Sequence, residues 1–271
     1  MRSQKESFLD VKLRETIKSM GFSRRVAAMG ELLSEDAEIQ AVQEYANSVS
    51  IKRLGYNDHG PVHARTVALN GLVMMGLLKQ AAIKTTLELE ECGDFDDSVI
   101  AVLLAAFLHD FGMSVGRQDH ELHSAYLARP IIDRLLLRVY PQDLPKRVIL
   151  RSLSLEGISG HMGTRAIHSL EAGVIQIADG CDMTKGRARI PLALAGSPRV
   201  GDIHQYSANA IEEVRLLPGR EKPIHIEVFM ASEVGLFQVE EVLLGKISAS
   251  AAKSQVELFA VVGGGAPKQY L

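Results

Sequence analysis

The sequence predicts a mainly α-helical protein that ends in a small α+β subdomain, and three patterns in the chain lead to this prediction. From 8 to 49, apolar residues recur at spacings of three and four among charged ones, as on amphipathic helices. The stretch 99–108 is almost wholly apolar, which is typical of a helix buried inside a bundle. From 224 to 230, every second residue is apolar, which is the period of a half-buried strand.

These patterns divide the chain into three predicted regions. Residues 1–50 are expected to form a helical segment that packs on the core, and residues 51–200 a helical bundle. Residues 201–271 fit a small ββαβ domain, because strand-like and helix-like spacings follow one another there. Its predicted elements are, in chain order, strands at 210–217 and 224–230, a helix at 236–247 and a strand at 256–262.

Inside the bundle, prolines and glycines indicate where helices begin and end. One helix should begin at Pro61, since proline is favoured in a first turn. Asp119 is a suitable N-cap for another, and Gly112 a natural stop after the apolar stretch. The glycines of 157–163 predict a loop that carries His161.

The composition is that of an ordinary soluble globular protein. Of the 271 residues, 46% are hydrophobic and 23% charged, and the formal net charge is -3. Nucleic acid is not an expected partner, because the basic excess that such binding uses is missing. The longest apolar runs are too short to span a bilayer, and two cysteines do not make a disulfide framework. We therefore expect a cytoplasmic protein without a membrane partner, and a homo-oligomer is compatible with the sequence.

The most informative motif is the pair His109 and Asp110, which stands where the apolar stretch ends. A carboxylate in this position needs a partner, because charged side chains avoid burial unless they are paired or bind metal. Imidazole and carboxylate groups together suit divalent transition metals such as Mn, Fe, Co, Ni or Zn. Further candidate ligands lie on both sides of the pair: His59, His63, His120, His123, His161 and Asp179.

The order His63, then His109 and Asp110, then Asp179 resembles the HD superfamily of metal-dependent phosphohydrolases, whose signature is H…HD…D. The resemblance covers most of the chain. It implies an HD-type helical bundle in which these four residues hold one divalent ion. Asp110 would be both a ligand and a catalytic residue, able to bridge to a second ion. A bound cation of this kind lowers the pKa of water and polarises a phosphoryl group.

A second ion is an open question in the sequence. His120 and His161 occupy places similar to those of the additional ligands in two-metal branches of the family, and His120 matches the family segment better than His123. One or two ions are both compatible with this pattern. The GYP signature of cyclic-di-GMP phosphodiesterases is absent, which argues against that substrate.

His59 lies four residues before His63. In HD-like cyclic-nucleotide phosphodiesterases a histidine at a similar position donates a proton to the leaving oxygen. The resemblance makes His59 a candidate general acid, since an imidazole titrates in the useful range. The alternative is a solvent-exposed histidine in a loop.

Basic residues are candidates for binding the phosphate of a substrate. Lys185, Arg187 and Arg189 follow Asp179 closely and are separated by small residues. Lysine and arginine both bind phosphate oxygens, and arginine can do so with two parallel hydrogen bonds. A charged run of this kind can equally face solvent. Arg65 lies close to His63 and has the same two interpretations, as a phosphate ligand or as part of a surface salt bridge.

The sequence therefore favours a metal-dependent phosphohydrolase. The expected substrate is a small phosphorylated molecule, a phosphodiester or phosphomonoester that resembles a nucleotide or a pterin. The alternative is a regulatory or binding protein that uses an HD scaffold to sense a nucleotide. An intact set of ligands argues for the enzyme, because a sensor does not need to retain all of them.

Overall fold

In the computed structural model of the chain, which describes residues 2–185 and 203–271, a helical bundle is followed by a small α+β subdomain, as predicted. A π-helical turn (Val49–Leu54) continues the third helix, and a 3-10 turn (Phe111–Ser114) follows the sixth. The helices of the bundle are α1 (Gln4–Ser19), α2 (Arg24–Glu35), α3 (Ala37–Ser48), α4 (Pro61–Gln80), α5 (Thr86–Leu89), α6 (Phe95–Leu108), α7 (His120–Val139), α8 (Leu144–Gly160) and α9 (Leu170–Gly180).

Helix α6 forms the centre of the bundle. Every side chain from Val99 to Leu108 is buried, and α2, α4, α8 and α9 pack around the helix. A helix that is apolar on all faces is stable only where other elements cover each face. The segment Phe95–Ser114 is long and apolar enough to cross a membrane by length and composition, but 94% of its apolar window is buried inside the protein. It has the surroundings of a core helix.

The connections around α6 bring several helix ends together. Helix α4 begins at Pro61 as predicted, with Gly60 at its N-cap. After α6 the chain turns tightly into α7, and Gly112 makes this possible because a Cβ at that position would clash with the carbonyl oxygen of His120. Ser124 Oγ accepts a hydrogen bond from Gly112 N at 2.7 Å. The end of α6 and the start of α7 are thereby held next to each other.

The loop predicted at 157–163 is wrong in its first half, because α8 continues to Gly160. Two of the glycines allow close packing of α8 on its neighbours. A Cβ at Gly157 would lie 3.1 Å from that of Ala105, and one at Gly160 would clash with Ile167. His161 therefore lies at the C-terminal end of a helix, in a fixed position.

The C-terminal subdomain is a four-stranded sheet with helical segments. Its strands lie in the order β1 (Ile211–Pro218), β2 (Ile224–Met230), β3 (Val256–Val262) and β4 (Lys268–Gln269). The β2 and β3 strands are parallel, and the other neighbours are antiparallel. A parallel pair needs a crossover, here a π-helical turn (Gln238–Leu243) that runs into a short α-helix (Leu244–Ala249).

The three predicted strands and the helix occur close to their expected positions, and β4 was not predicted. A helix that precedes the sheet, α10 (Ile203–Ala210), was not predicted either. The sheet packs on α4, and the crossover helix, called α11 here, packs on α9. The predicted domain boundaries stay predictions, and the one near 200 lies outside the described residues.

Candidate metal centre

Six side chains from five helix ends meet in the interior of the bundle. The structure brings together all six predicted metal ligands, and each of them is buried. Metal sites in helical bundles are commonly built from side chains of several facing helices. The ligands are His63 in the first turn of α4, His109 and Asp110 after α6, His120 at the start of α7, His161 after α8 and Asp179 near the end of α9.

Four of these residues form a first group. His63 Nε2 lies 3.1 Å from His109 Nε2 and 3.2 Å from both Asp110 Oδ2 and Asp179 Oδ1. Ligand atoms that share one ion at about 2.0–2.2 Å lie roughly 3 to 3.5 Å from one another. The spacing of the first group is therefore that of atoms that can hold a common ion.

The other oxygen of Asp110 belongs to a second group. His120 Nε2 and His161 Nε2 are 3.2 Å apart, and they lie 3.4 and 3.6 Å from Asp110 Oδ1. Asp110 thus connects the two groups, one oxygen to each. The two groups are adjacent, since the ligand atoms of His109, His161 and Asp179 also lie within 4.8 Å of one another.

The second nitrogen of each imidazole is already engaged. The Nδ1 atoms of His109, His120 and His161 lie 2.9, 3.1 and 2.7 Å from backbone carbonyl oxygens, and His63 Nδ1 lies 2.6 Å from Asp182 Oδ2. In a neutral imidazole that donates from Nδ1, the Nε2 atom carries the lone pair. Metal-binding histidines almost always have such a partner on the other nitrogen.

Lone pairs therefore face one another within each group. Two Nε2 acceptors at 3.1 or 3.2 Å repel each other unless a cation or a proton lies between them. Asp110 Oδ2 is buried and accepts no hydrogen bond from the described residues. Buried polar atoms are normally satisfied, so this oxygen is suited to bind a cation. These observations fit a site that could hold a metal ion.

The pKa values agree with this interpretation. Burial lowers the pKa of His161 to about 4, so its imidazole is neutral at pH 7 and available to a metal. Burial disfavours the ionised form of Asp110, but His109 and His59 outweigh it and hold the pKa of this carboxyl well below its usual range. Burial likewise opposes ionisation of Asp179, but Lys246 and His63 lower its pKa.

Nitrogen and oxygen atoms make up the donor set, without a thiolate. Cys181 follows Asp179 by two residues, but burial and then the charge of Asp179 raise the pKa of its thiol, which stays protonated. Imidazole and carboxylate ligands without thiolate suit Mn, Fe, Co, Ni or Zn. The ligands do not distinguish among these metals.

A cavity opens over the two groups. Asp110, His161 and Asp179 line it next to the candidate ligands, and His59 lines it as well. His59 Nδ1 lies 2.6 Å from the carbonyl oxygen of Asn57 and 2.9 Å from Ser50 Oγ. The ring is therefore held in place rather than loose in a solvated loop. His123 is exposed, whereas His120 belongs to the second group, in agreement with the preference for His120.

Two cations of the cavity were not predicted. Arg117 Nη1 lies 3.4 Å from His120 Nε2, and Lys246 forms an ion pair with Asp179. Arg117 precedes His120 by only three residues, so its place in the sequence could have suggested it. Lys246 lies in the crossover helix of the sheet, and no motif in the sequence connects it with the ligands.

The structure corrects the prediction that Arg65 binds phosphate. Its side chain is fully buried and pairs with Asp10 Oδ1 at 2.7 Å, and it also bonds to the carbonyl oxygen of Pro61. Residues two apart on a helix point in nearly opposite directions, so Arg65 cannot share the cavity face of His63. The guanidinium instead ties α1 to α4. Lys185 is exposed, and Arg187 and Arg189 lie outside the described residues.

The chain is similar to a known protein over most of its length. It is 41% identical over 230 residues to the uncharacterized protein MJ1020 of Methanocaldococcus jannaschii, and the alignment covers 85% of this chain and 86% of that protein. No protein-family model matches the chain, and no solved structure matches it significantly.

Proposed function

We propose a function for this chain from its metal centre, because the chain belongs to the family of the uncharacterized protein MJ1020 of Methanocaldococcus jannaschii, whose name states no activity. The proposed function is that of a metal-dependent phosphohydrolase of the HD superfamily. Its proposed substrate is a small phosphodiester or phosphomonoester that resembles a nucleotide or a pterin.

One observation carries this proposal: two adjacent groups of metal ligands share the carboxylate of Asp110. His63, His109 and Asp179 complete the first group, and His120 and His161 complete the second. Two divalent ions in such a site make a nucleophile available from water near neutral pH and stabilise both the attacking and the leaving oxygen of a phosphoryl group. The order H…HD…D in the sequence supports the same superfamily.

The residues around the ligands have separate roles in this proposal. Asp182 accepts the Nδ1 proton of His63 and so orients that imidazole. Arg117 borders the second group and offers a guanidinium to phosphoryl oxygens. His59 donates a proton to the leaving oxygen through Nε2, because Asn57 already fixes the orientation of Nδ1.

The proposal is tested by metal content and turnover measured on the same samples. Protein purified without added metal is analysed for its elements. It is then assayed with each divalent metal against bis-p-nitrophenyl phosphate, p-nitrophenyl phosphate and a panel of cyclic nucleotides. Asp110→Asn removes the bridging charge at almost constant volume. Asp133→Asn is the matched control, because Asp133 pairs with Arg151 on the surface of α7.

We expect hydrolysis of at least one phosphoester by the wild type and by Asp133→Asn. We expect Asp110→Asn to lose most of the bound metal and the activity together. Equal activity in all three proteins would identify a contaminating enzyme. Bound metal with no hydrolysis across the whole panel would contradict the proposed function.

A further inference from the structure

The C-terminal subdomain contributes a charged side chain to the metal centre. Lys246, in the crossover helix α11, forms an ion pair through Nζ with Asp179 Oδ2, and its side chain is only 11% exposed. Lys246 also lines the cavity over the ligands, together with Ala208, Gln238 and Val242. These four residues all lie C-terminal to the bundle, so the subdomain forms one wall of the cavity.

Close packing holds this wall in place. Gly173 and Gly180 lie seven residues apart on one face of α9, the face that meets the subdomain. A Cβ at Gly173 would lie 2.7 Å from Ala252 N, and one at Gly180 would lie 3.0 Å from Leu243 Cδ1. Ser250 Oγ donates a hydrogen bond to the carbonyl oxygen of Gly173 at 3.0 Å. The absence of side chains at the two glycines lets α11 approach α9 closely.

The charges in the cavity are arranged for an anion that reaches across both ligand groups. Lys246 stands beside Asp179 of the first group, and Arg117 stands beside His120 of the second. An anion that lies over Asp110 would therefore meet a cation at each end. Lysine offers three N–H donors, of which the hydrogen bond to Asp179 uses one.

We infer that Lys246 is a substrate-binding residue for the phosphoryl oxygens and that the C-terminal subdomain is a required part of the active site. This inference rests on the proposed function, since it assigns the phosphate-binding group of the same site. The ammonium of Lys246 binds an oxygen of the phosphoryl group at the end nearest Asp179. Arg117 binds one at the end nearest His120. The phosphate-binding residues of this chain therefore come from two different domains.

The experiment measures binding of inorganic phosphate to the full-length, metal-loaded protein by calorimetry. The variants are Lys246→Met, which removes the charge, and Lys246→Arg, which keeps it. Lys253→Met is the matched control, because Lys253 is an exposed lysine of the same subdomain. Metal content and far-UV circular dichroism are recorded for each protein, and KM and kcat are measured with the best substrate of the panel.

We expect Lys246→Met to raise the Kd for phosphate by about 10- to 100-fold, which is the usual effect of losing a hydrogen bond to a charged group. Metal content should stay unchanged, KM should rise, and Lys246→Arg should restore much of the affinity. Lys253→Met should behave as the wild type does. If Lys246→Met fails to fold, Lys246→Gln replaces it, because glutamine also removes the charge: a Kd equal to that of the wild type overturns the inference, and a several-fold rise supports it.

A phosphate Kd in Lys246→Met equal to that of the wild type at saturating metal would overturn the inference. If that variant also loses metal on dialysis, Lys246 acts only on Asp179. Phosphate binding that depends on Lys246 in a protein that hydrolyses no ester would leave the inference standing and contradict the proposed function instead. No phosphate binding by the metal-loaded wild type would contradict the inference.

Discussion

The carboxylate of Asp110 determines how the centre is organised, because each of its oxygens faces a different pair of histidines. Oδ2 lies 3.2 Å from His63 Nε2, and Oδ1 lies 3.4 Å from His120 Nε2. The first group also has Asp179, whereas the second has only imidazoles besides Asp110. A divalent ion in the second group is held with less negative charge, and we expect it to be lost more readily.

This difference predicts the effect of removing a ligand from the second group. His161→Ala should reduce the bound metal from about two ions to about one per chain, because the first group keeps its four ligands. His123→Ala is the control, since His123 is an exposed histidine of the same helix as His120 and belongs to neither group. Elemental analysis after dialysis measures both. Two ions retained in His161→Ala would contradict a metal site in the second group.

The proposed role of His59 predicts a dependence on the leaving group. His59→Gln should lower kcat about 10²- to 10⁴-fold for an alkyl phosphoester, because the alkoxide needs a proton as it leaves. A p-nitrophenyl ester should be affected much less, since its leaving group departs without protonation. Metal content should not change. Equal losses for both substrates, or a matching loss in the exposed His168→Gln control, would rule out a general acid at this position.

At the scale of single residues, the sequence predicts the metal ligands better than it predicts the residues that would bind phosphate. The six metal-binding candidates could be found because their order along the chain resembles that of the HD superfamily and its two-metal branches, and because a carboxylate beside a buried apolar helix needs a partner. Arg65 could not be placed correctly, since the same residue type serves in a buried ion pair with Asp10 as in phosphate binding. Lys246 could not be found at all, because only the packing of the subdomain on α9 brings it to Asp179.

Helix α9 is the element that connects the bundle with the subdomain. One of its faces carries Asp179 towards the ligands, and another presents Gly173 and Gly180 to the crossover helix. The same short helix thus positions a metal ligand and the wall that contains Lys246. A change in the packing at Gly173 or Gly180 should therefore also alter the cavity.

Gly173→Ala tests this connection. Its Cβ would lie 2.6 Å from Ser250 Oγ and 2.7 Å from Ala252 N, so the subdomain must move away. We expect the free energy of unfolding to fall by about 1 to 3 kcal/mol, as for other overpacked sites, and phosphate affinity to fall as in Lys246→Met. Gly245→Ala is the control in α11, because no atom lies within 4 Å of its Cβ. It should be neutral or stabilising, as Ala favours a helix. Urea unfolding and calorimetry measure the two effects.

Among the elements, long periodic segments were predicted well and glycine-rich ones were not. The alternation at 224–230 matches β2 in full. The apolar stretch 99–108 lies within the helix α6, as expected. The glycines of 157–163 predict a loop, but Gly157 and Gly160 allow close contacts of α8 with Ala105 and Ile167, which a local pattern does not reveal. The two-residue strand β4 is too short to show any period.

At the scale of the whole molecule, one buried carboxylate joins several helices of the bundle. Asp97 in α6 accepts hydrogen bonds from Tyr140 Oη at 2.6 Å and from Lys146 Nζ at 2.7 Å, and Arg25 Nη1 lies 3.3 Å away. These partners come from α2, the end of α7 and α8. Burial opposes ionisation of Asp97, but Lys146 and Tyr140 prevail and lower its pKa below the ordinary value.

The lowered pKa predicts how this network depends on pH. The unfolded chain takes up a proton at Asp97 at a higher pH than the folded chain does. The stabilisation is therefore complete above the ordinary pKa of about 3.9. It is lost as the pH falls below that value.

Asp97→Asn should lower the free energy of unfolding by about 1 to 3 kcal/mol at pH 7. The difference in the free energy of unfolding between variant and wild type should become smaller as the pH falls below about 4. Urea titrations at several pH values measure this difference. A difference that is constant with pH would contradict the lowered pKa of Asp97.

The position of Lys246 in the chain also has a consequence for biosynthesis. Asp179 precedes Lys246 by 67 residues. A ribosome that adds about 5 to 20 residues per second completes the second of these positions roughly 3 to 13 seconds after the first. During that interval every ligand of the two groups has been synthesised, whereas the proposed phosphate-binding lysine has not. A nascent chain can therefore acquire its metal before it can hold a substrate.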